Sequence, residues 1–144
     1  MASFNKFNQF VADLATGVHQ LQTGTTHVLK VALSNTAPSS ANAVLADITQ
    51  VSNGNGYTTG GISVGTITGA QTSGTFKLTG GTDPVWTASG AGFTARYAVL
   101  YNDTPTSPAK PLIGWWDYGS SVTLAAGETF TVDLDQTNGI LTLA

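Results

Sequence analysis

The sequence has no cysteine and very little charge. Without cysteine, the chain has no disulfide framework and no thiolate chemistry. Charged residues make up only 9% of the 144 residues, against about 25% in an average soluble domain. The five basic residues are scattered, and the formal net charge is −3. Nucleic-acid-binding proteins need a basic stripe to neutralise phosphates, so we expect no nucleic-acid partner.

Long apolar runs are also missing. No run approaches the roughly 18 apolar residues of a membrane span, and the N-terminal residues lack the continuous apolar core of a signal peptide. We therefore expect no membrane partner. We expect a protein that is made in a cytoplasm and then stays soluble or joins a soluble assembly.

Threonine and glycine replace the missing charge. The chain has 23 threonines and 17 glycines. Threonine is β-branched and fits a half-buried pleated surface, whereas glycine supplies turns and bulges. A surface of this kind carries little charge repulsion against a neighbouring copy, which favours association. The composition fits an ordinary secreted or surface β-domain and a self-associating module equally well.

Residues 3–16 predict one short amphipathic helix at the N-terminus. Ser3 is a plausible N-cap, and Gly17 stands where a left-handed C-cap is expected. The apolar positions share one helical stripe: Phe4, Phe7, Phe10, Val11 and Leu14. The favoured interpretation is that this stripe packs across a sheet of its own domain. In the alternative, the helix is an arm whose phenylalanines Phe4, Phe7 and Phe10 dock on a neighbouring subunit.

Short alternating segments separated by turn clusters follow this helix. They predict eight or nine strands, at 27–33, weakly at 44–51, at 62–68, 75–79 and 85–90, and then through most of 93–144. The strand at 93–101 is apolar on both sides, which is typical of a central strand covered on each face. We place Phe93, Ala95, Tyr97, Val99 and Tyr101 on one face of it. The sequence therefore predicts one all-β domain over residues 1–144, an antiparallel β-sandwich that is jelly-roll-like, with the helix appended.

No arrangement of residues indicates an enzyme, a cofactor or a metal site. His19 and His27 lack a cysteine or a nearby carboxylate at zinc-like spacing, so a structural or surface role is favoured. Asp133 and Asp135 share a strand face opposite Phe130, Val132 and Leu134, which favours a solvated face over paired catalytic acids or a weak calcium site. The glycine pattern at 90–95 precedes a strand instead of a helix, which excludes dinucleotide binding.

Trp115 and Trp116 are the most suggestive binding residues. Neighbouring residues on a strand point to opposite faces, so the two rings cannot form one flat sugar-binding platform unless a bulge intervenes. One ring is expected in the core, and the other is a candidate anchor for a protein partner, because tryptophan is enriched at interface hot spots.

Several segments resemble small structural virion proteins of tailed bacteriophages. They are the opening MASFNKFNQFVADLATGVHQL, HVLKVALSNTAP, NGNGYTTGG, and above all RYAVLYND and KPLIGWWDYGSSVTLAAGETFTVDLD. The resemblance covers most of the chain and rests on overall pattern, without a catalytic signature. It implies a capsid decoration or cement protein, bound in many copies on the outer surface of the phage head, and it carries over no functional residues.

The partners implied by this resemblance are the major capsid protein and further copies of the chain itself. The location implied is the capsid surface of the virion, after synthesis in the host cytoplasm. Candidate contact segments are the N-terminal helix, the loop 34–43 and the Pro-bounded loop at 104–111, which includes Pro105 and Pro108. The alternatives are a tail, adaptor or fibre-associated virion component, and a carbohydrate-binding β-module that uses Trp115 or Trp116.

Overall fold

The computed structural model describes residues 2–144, and β-strands dominate it. In this part of the chain every pairing between the named strands is antiparallel. The strands are β1 (Phe4–Lys6), β2 (Leu29–Ser34), β3 (Ile62–Ser63), β4 (Thr68–Thr72), β5 (Thr75–Thr79), β6 (Val85–Thr87), β7 (Phe93–Asn102), β8 (Leu112–Leu124), β9 (Thr129–Thr131) and β10 (Leu141–Leu143). One helix, α1 (Asn8–Ala15), and a 3-10 turn (Leu45–Asp47) complete the set. The predicted all-β class with one short N-terminal helix is confirmed.

The strands form three sheets. The largest has the order β1-β8-β7-β2-β3, a second has the order β10-β5-β4, and the third pairs β6 with β9. Strand β7 lies at the centre of the largest sheet, as its two apolar faces predict. Within residues 2–144 no helix is long and apolar enough to cross a membrane.

Apolar side chains cover both faces of the largest sheet. On one face, the main cluster draws on all three sheets and includes Val31, Leu33, Leu78, Trp86, Leu100, Ile113, Phe130 and Leu141. On the other face, the smaller cluster contains Phe7, Ala32, Leu45, Ile48, Val99, Tyr101 and Leu112. Neighbouring residues of β7, such as Val99 and Leu100, therefore enter different clusters, which explains the continuous apolar run in that strand.

The face assignment along β7 is wrong at one end. Its residues were predicted to share one face from Phe93 to Tyr101, but Phe93 and Ala95 join the main cluster, whereas Val99 and Tyr101 join the smaller one. The register of β7 against β8 shifts at Arg96, between Ala95 and Tyr97. An irregularity of this kind inserts unpaired residues and reverses the alternation beyond it.

The predicted helix over 3–16 is also wrong in its first half. Residues Phe4–Lys6 form β1, which pairs with the edge of β8 so that Phe4 lies opposite Trp116. The helix begins only at Asn8, and Ser3 does not cap it; the N-cap position is Phe7, which makes no side-chain cap. Instead, the backbone N–H of Asn8 donates to the carbonyl of Ser40 at 2.9 Å. Gly17 has φ +79°, so the predicted left-handed C-terminal residue is confirmed.

Two further strand predictions need correction. The segment 44–51, predicted as a weak strand or bent edge, contains a 3-10 turn at Leu45–Asp47 and makes only isolated bridges, at Val44 and Gln50. The Asp47 side chain accepts the backbone N–H groups of Ala43 and Val44, at 2.8 and 3.2 Å. The predicted strand 62–68 is divided between β3 and β4, because Gly65 adopts φ +72° and ends the extended conformation.

Candidate partner-binding groove

A large bulge interrupts β8 opposite Arg96. The register pairs Tyr97 with Asp117 and Ala95 with Val122, so a single residue of β7, Arg96, faces the four residues 118–121 of β8. These four residues are exposed, and Gly119 adopts φ +101°, which side-chain-bearing residues rarely adopt. Bulges re-aim side chains at the rims of sheets and next to functional sites. Here the bulge presents Tyr118, which is 63% exposed.

The Asp117 carboxylate holds the base of this bulge. The Arg96 guanidinium donates to both Asp117 oxygens, at 2.8 and 3.0 Å, and the backbone N–H of Gly119 donates to one of them at 2.8 Å. A bidentate ion pair of this kind restrains the orientation of both side chains in addition to pairing their charges. The hydrogen bonds from Arg96, followed by the one from Gly119, hold the pKa of Asp117 below its usual range. The bulge is therefore a defined feature at neutral pH.

An apolar groove of about 390 Å³ lies beside the bulge. We call it the aromatic groove, and it is lined by Ala2, Arg96, Ala98, Trp116, Tyr118, Phe130, Thr131, Val132 and Asp133. The rings of Tyr118 and Phe130 are 6.2 Å apart, and the ring of Phe4 lies 5.1 Å from that of Trp116. Three aromatic side chains with a few polar groups at the rim are typical of a binding cleft of this size.

The two tryptophans face opposite sides of the sheet, as predicted. Trp115 packs against the smaller cluster with its ring 4.5 Å from that of Phe7, whereas Trp116 packs against the main cluster. Both are half-buried, so neither is wholly in the core or wholly exposed. Only Trp116 lines the aromatic groove.

The phenylalanines predicted as partner contacts lie largely inside the protein. Phe7 is 0% exposed and Phe10 is 2% exposed. These two side chains therefore present no surface to a partner, which corrects their assignment as contact residues. Phe7 and Phe10 pack inside their own domain, as the favoured interpretation predicts, whereas Val11 of the same predicted stripe is 52% exposed. Phe4 is half-buried and supports Trp116 from the side.

Pro105 and Pro108 are half-buried on a loop that does not line the aromatic groove. Asp103 anchors this loop through ion pairs with Lys30 and Lys110, at 2.9 and 3.3 Å. The structure thus brings one of the seven predicted contact residues, Trp116, to the aromatic groove, with Phe4 behind it. The sequence did not indicate Arg96, Tyr118 and Phe130 as groove residues. The one local sign of the bulge is Gly119, which interrupts an otherwise continuous strand pattern.

The two carboxylates of 133–135 do not act as a pair. Asp133 is exposed at the rim of the aromatic groove. Asp135 accepts the backbone N–H groups of Thr137 and Asn138, at 2.9 and 2.6 Å, and the bond from Asn138 lowers its pKa. Phe130, Val132 and Leu134 are buried as predicted.

The two histidines meet at a buried asparagine. Asn102 is 0% exposed, and its side-chain nitrogen lies 3.2 Å from Nδ1 of His19 and 2.9 Å from Nδ1 of His27. His19 is 5% exposed, and His27 is half-buried. Among residues 2–144, no three histidine, aspartate or glutamate side chains are placed to hold a metal ion.

The buried His19 makes stability depend on pH. Burial lowers its pKa from 6.5 to about 4, with Asp13 opposing and His27 reinforcing that shift. The unfolded chain therefore binds more protons than the folded protein below pH 6.5, and stability is lost as pH falls toward 4. We expect the free energy of unfolding to drop by about 2 kcal/mol between pH 8 and pH 5, measured by urea denaturation across that range.

His19→Gln should flatten this pH profile, whereas Asp133→Asn, which alters an exposed carboxylate, should leave it unchanged. A wild-type unfolding free energy that stays constant from pH 8 to pH 5 would show that His19 is not held neutral by burial.

Comparison with protein-family models, with curated proteins and with solved structures gives no match to this chain.

Proposed function

We propose that this protein is a structural component of a bacteriophage particle, a capsid decoration or cement protein that binds the outer surface of the head and bridges capsid subunits. The aromatic groove is the observation that carries the proposal, because it offers a binding surface on a rigid β scaffold. The resemblance of several chain segments to small virion proteins of tailed bacteriophages is the reason for proposing a phage particle. In this proposal the protein acts by binding and not by catalysis.

The groove is proposed to receive an apolar side chain of the major capsid protein. Tyrosine and tryptophan anchors supply much of the binding energy of interfaces, since they bury large areas at low entropic cost. Tyr118 is 63% exposed in the free protein and has this area to bury. The Asp133 carboxylate at the rim and the net charge of −3 favour a basic residue beside that apolar side chain.

The low charge of the chain supports binding in many copies. With 9% charged residues, neighbouring copies on a shell repel one another weakly. We propose that copies also contact each other there. We further propose that the three sheets form a jelly-roll-like sandwich, since residues of both smaller sheets meet the largest sheet in the main cluster.

A sugar ring is the alternative occupant of the aromatic groove. Trp116 and Tyr118 are two positions apart and both line it, together with an exposed carboxylate. Aromatic walls with a few placed polar groups also suit a small polar-apolar ligand. Protein docking is favoured because the groove continues onto an exposed bulge, which widens the contact beyond one sugar ring.

Particles that lack the protein should lose their genome at a lower temperature than complete particles. A protein that binds only the assembled shell stabilises that shell by mass action. DNA release on heating measures this directly, and adding back purified wild-type protein should restore the resistance. Equal heat resistance with and without the protein would contradict the cement role. A glycan array hit that Tyr118→Ala abolishes, without any binding to heads, would favour the carbohydrate alternative.

A further inference from the structure

The hydrogen bonds around Asn102 fix which atoms carry protons. The backbone N–H of Thr104 lies 3.3 Å from Oδ1 of Asn102, and since an N–H only donates, that oxygen is the acceptor. The amide nitrogen of Asn102 therefore points at the two imidazoles and donates to both. Nδ1 of His19 and Nδ1 of His27 must then be unprotonated acceptors.

A second donor supports this assignment for His27. The backbone N–H of Gln20 donates to the same Nδ1 atom at 3.3 Å. Two N–H donors converge on this nitrogen, so a proton there would face both of them. Each histidine is consequently neutral, with its single proton on Nε2, and in His19 that N–H is buried without a hydrogen-bond partner.

We propose that His19, Asn102 and His27 form an acid-sensitive latch that holds Thr104, at the start of loop 104–111, beside Asn102 and Val28 at neutral pH and releases it when an imidazole is protonated. A protonated Nδ1 is a donor and needs an acceptor. The Asn102 amide can offer its oxygen only by turning over, and it then presents its nitrogen to the Thr104 N–H, which breaks that hydrogen bond. One amide cannot satisfy both arrangements.

Open space lies beside Thr104. A shallow surface pocket of about 440 Å³ is lined by Thr16, Val18, His27, Thr104 and Pro105 among others. It gives Thr104 room to shift. The hydroxyl of Thr104 also accepts the backbone N–H of Val28 at 2.9 Å, so release frees a second amide.

Other charged groups near the latch hold the residue next to Thr104 in place. Burial would raise the pKa of Asp103, but Lys30 and Lys110 outweigh it and hold that pKa below the usual range. Asp103 thus stays ionised and keeps the base of the loop in place. On α1, Asp13 is 4% exposed with one unpartnered carboxylate oxygen, and it favours protonation of His19 but does not outweigh the burial that lowers the pKa of His19 to about 4. Half-buried His27 is reached directly from solvent.

Two NMR measurements on the full chain test the latch. Imidazole ¹⁵N shifts at pH 7.5 should show both histidines as Nε2–H tautomers. Between pH 7.5 and pH 5, the hydrogen-exchange protection factors of the Thr104 and Val28 amides should fall about fivefold to tenfold, which corresponds to the loss of one hydrogen bond. The Asp103 amide, which donates to the carbonyl of Val28 at 2.8 Å, should keep its protection and serves as the internal control.

Variants of the latch give opposite expectations. His27→Gln should remove most of the pH dependence at Thr104. Asn102→Asp should reverse it, since a carboxylate accepts from both an imidazolium and the Thr104 N–H, so protection at pH 5 should match or exceed that at pH 7.5. An Nδ1–H tautomer of either histidine at pH 7.5, or parallel loss of protection at Thr104 and Asp103, would overturn the proposal.

Discussion

Replacing Phe7 by alanine is expected to lower the free energy of unfolding by about 3–5 kcal/mol, the usual cost of removing a fully buried phenylalanine. Phe7 is 0% exposed, and its ring lies 4.5 Å from that of Trp115. It belongs to the smaller cluster and joins the start of α1 to the largest sheet. Urea denaturation followed by tryptophan fluorescence measures the change, since the loss of the ring also alters the environment of Trp115.

Val11→Ala is the matched control on the same helix. Val11 is 52% exposed, so its truncation should change stability by less than about 0.5 kcal/mol. A Phe7→Ala variant as stable as Val11→Ala would show that the N-terminal segment is not packed on the sheet and would revive the interpretation of an arm that docks elsewhere.

Tyr118→Ala should weaken binding to phage heads by about thirtyfold or more, which is the effect expected of an interface anchor worth about 2 kcal/mol. Tyr118 is 63% exposed, and its ring centre lies 6.2 Å from that of Phe130 at the mouth of the aromatic groove. Truncation of Tyr118 removes apolar surface that is exposed in the free protein and buried only when the protein is bound to the head. Titration of purified protein onto heads that lack it measures the dissociation constant.

Val85→Ala is the control for this prediction, because Val85 is a 46% exposed apolar residue on β6 that does not line the groove. It should bind like the wild type, and Tyr118→Phe should retain most of the affinity. Equal affinity of Tyr118→Ala and Val85→Ala would remove the aromatic groove from the interface. Thermal unfolding of each variant confirms that the fold is unchanged.

Much of the β framework could be predicted because its signals are local. The apolar run of β7 indicated a strand covered on both faces, and it lies at the centre of the largest sheet. Strict alternation placed Phe130, Val132 and Leu134 in the core, where they are 9%, 9% and 3% exposed. Such patterns follow from side-chain direction along one strand and need no knowledge of its neighbours.

The N-terminal strand could not be predicted, because its cause lies more than 100 residues away. Phe4, Phe7 and Phe10 fit a helical stripe, but the unpaired edge of β8 offers hydrogen bonds that a longer helix would leave unmade. Gly114 permits this pairing, since a side chain at that position would collide with the Phe4 ring. Tertiary pairing thus overrides the local pattern.

The aromatic groove escaped prediction for a related reason. Its geometry depends on the mismatch between one residue of β7 and four residues of β8, and neither segment reveals that mismatch alone. The bulge turns Tyr118 toward Phe130, which comes from a different sheet. The sequence indicated Trp116 as a candidate anchor, but the side chains that complete the groove become neighbours only after folding.

Imaging intact particles at a resolution that distinguishes individual copies tests the central proposal most directly. We expect many copies of the chain arrayed over the outer surface of the head, with Tyr118 and the aromatic groove facing a capsid subunit. A few copies confined to the tail, or particles without the chain on the shell, would contradict it.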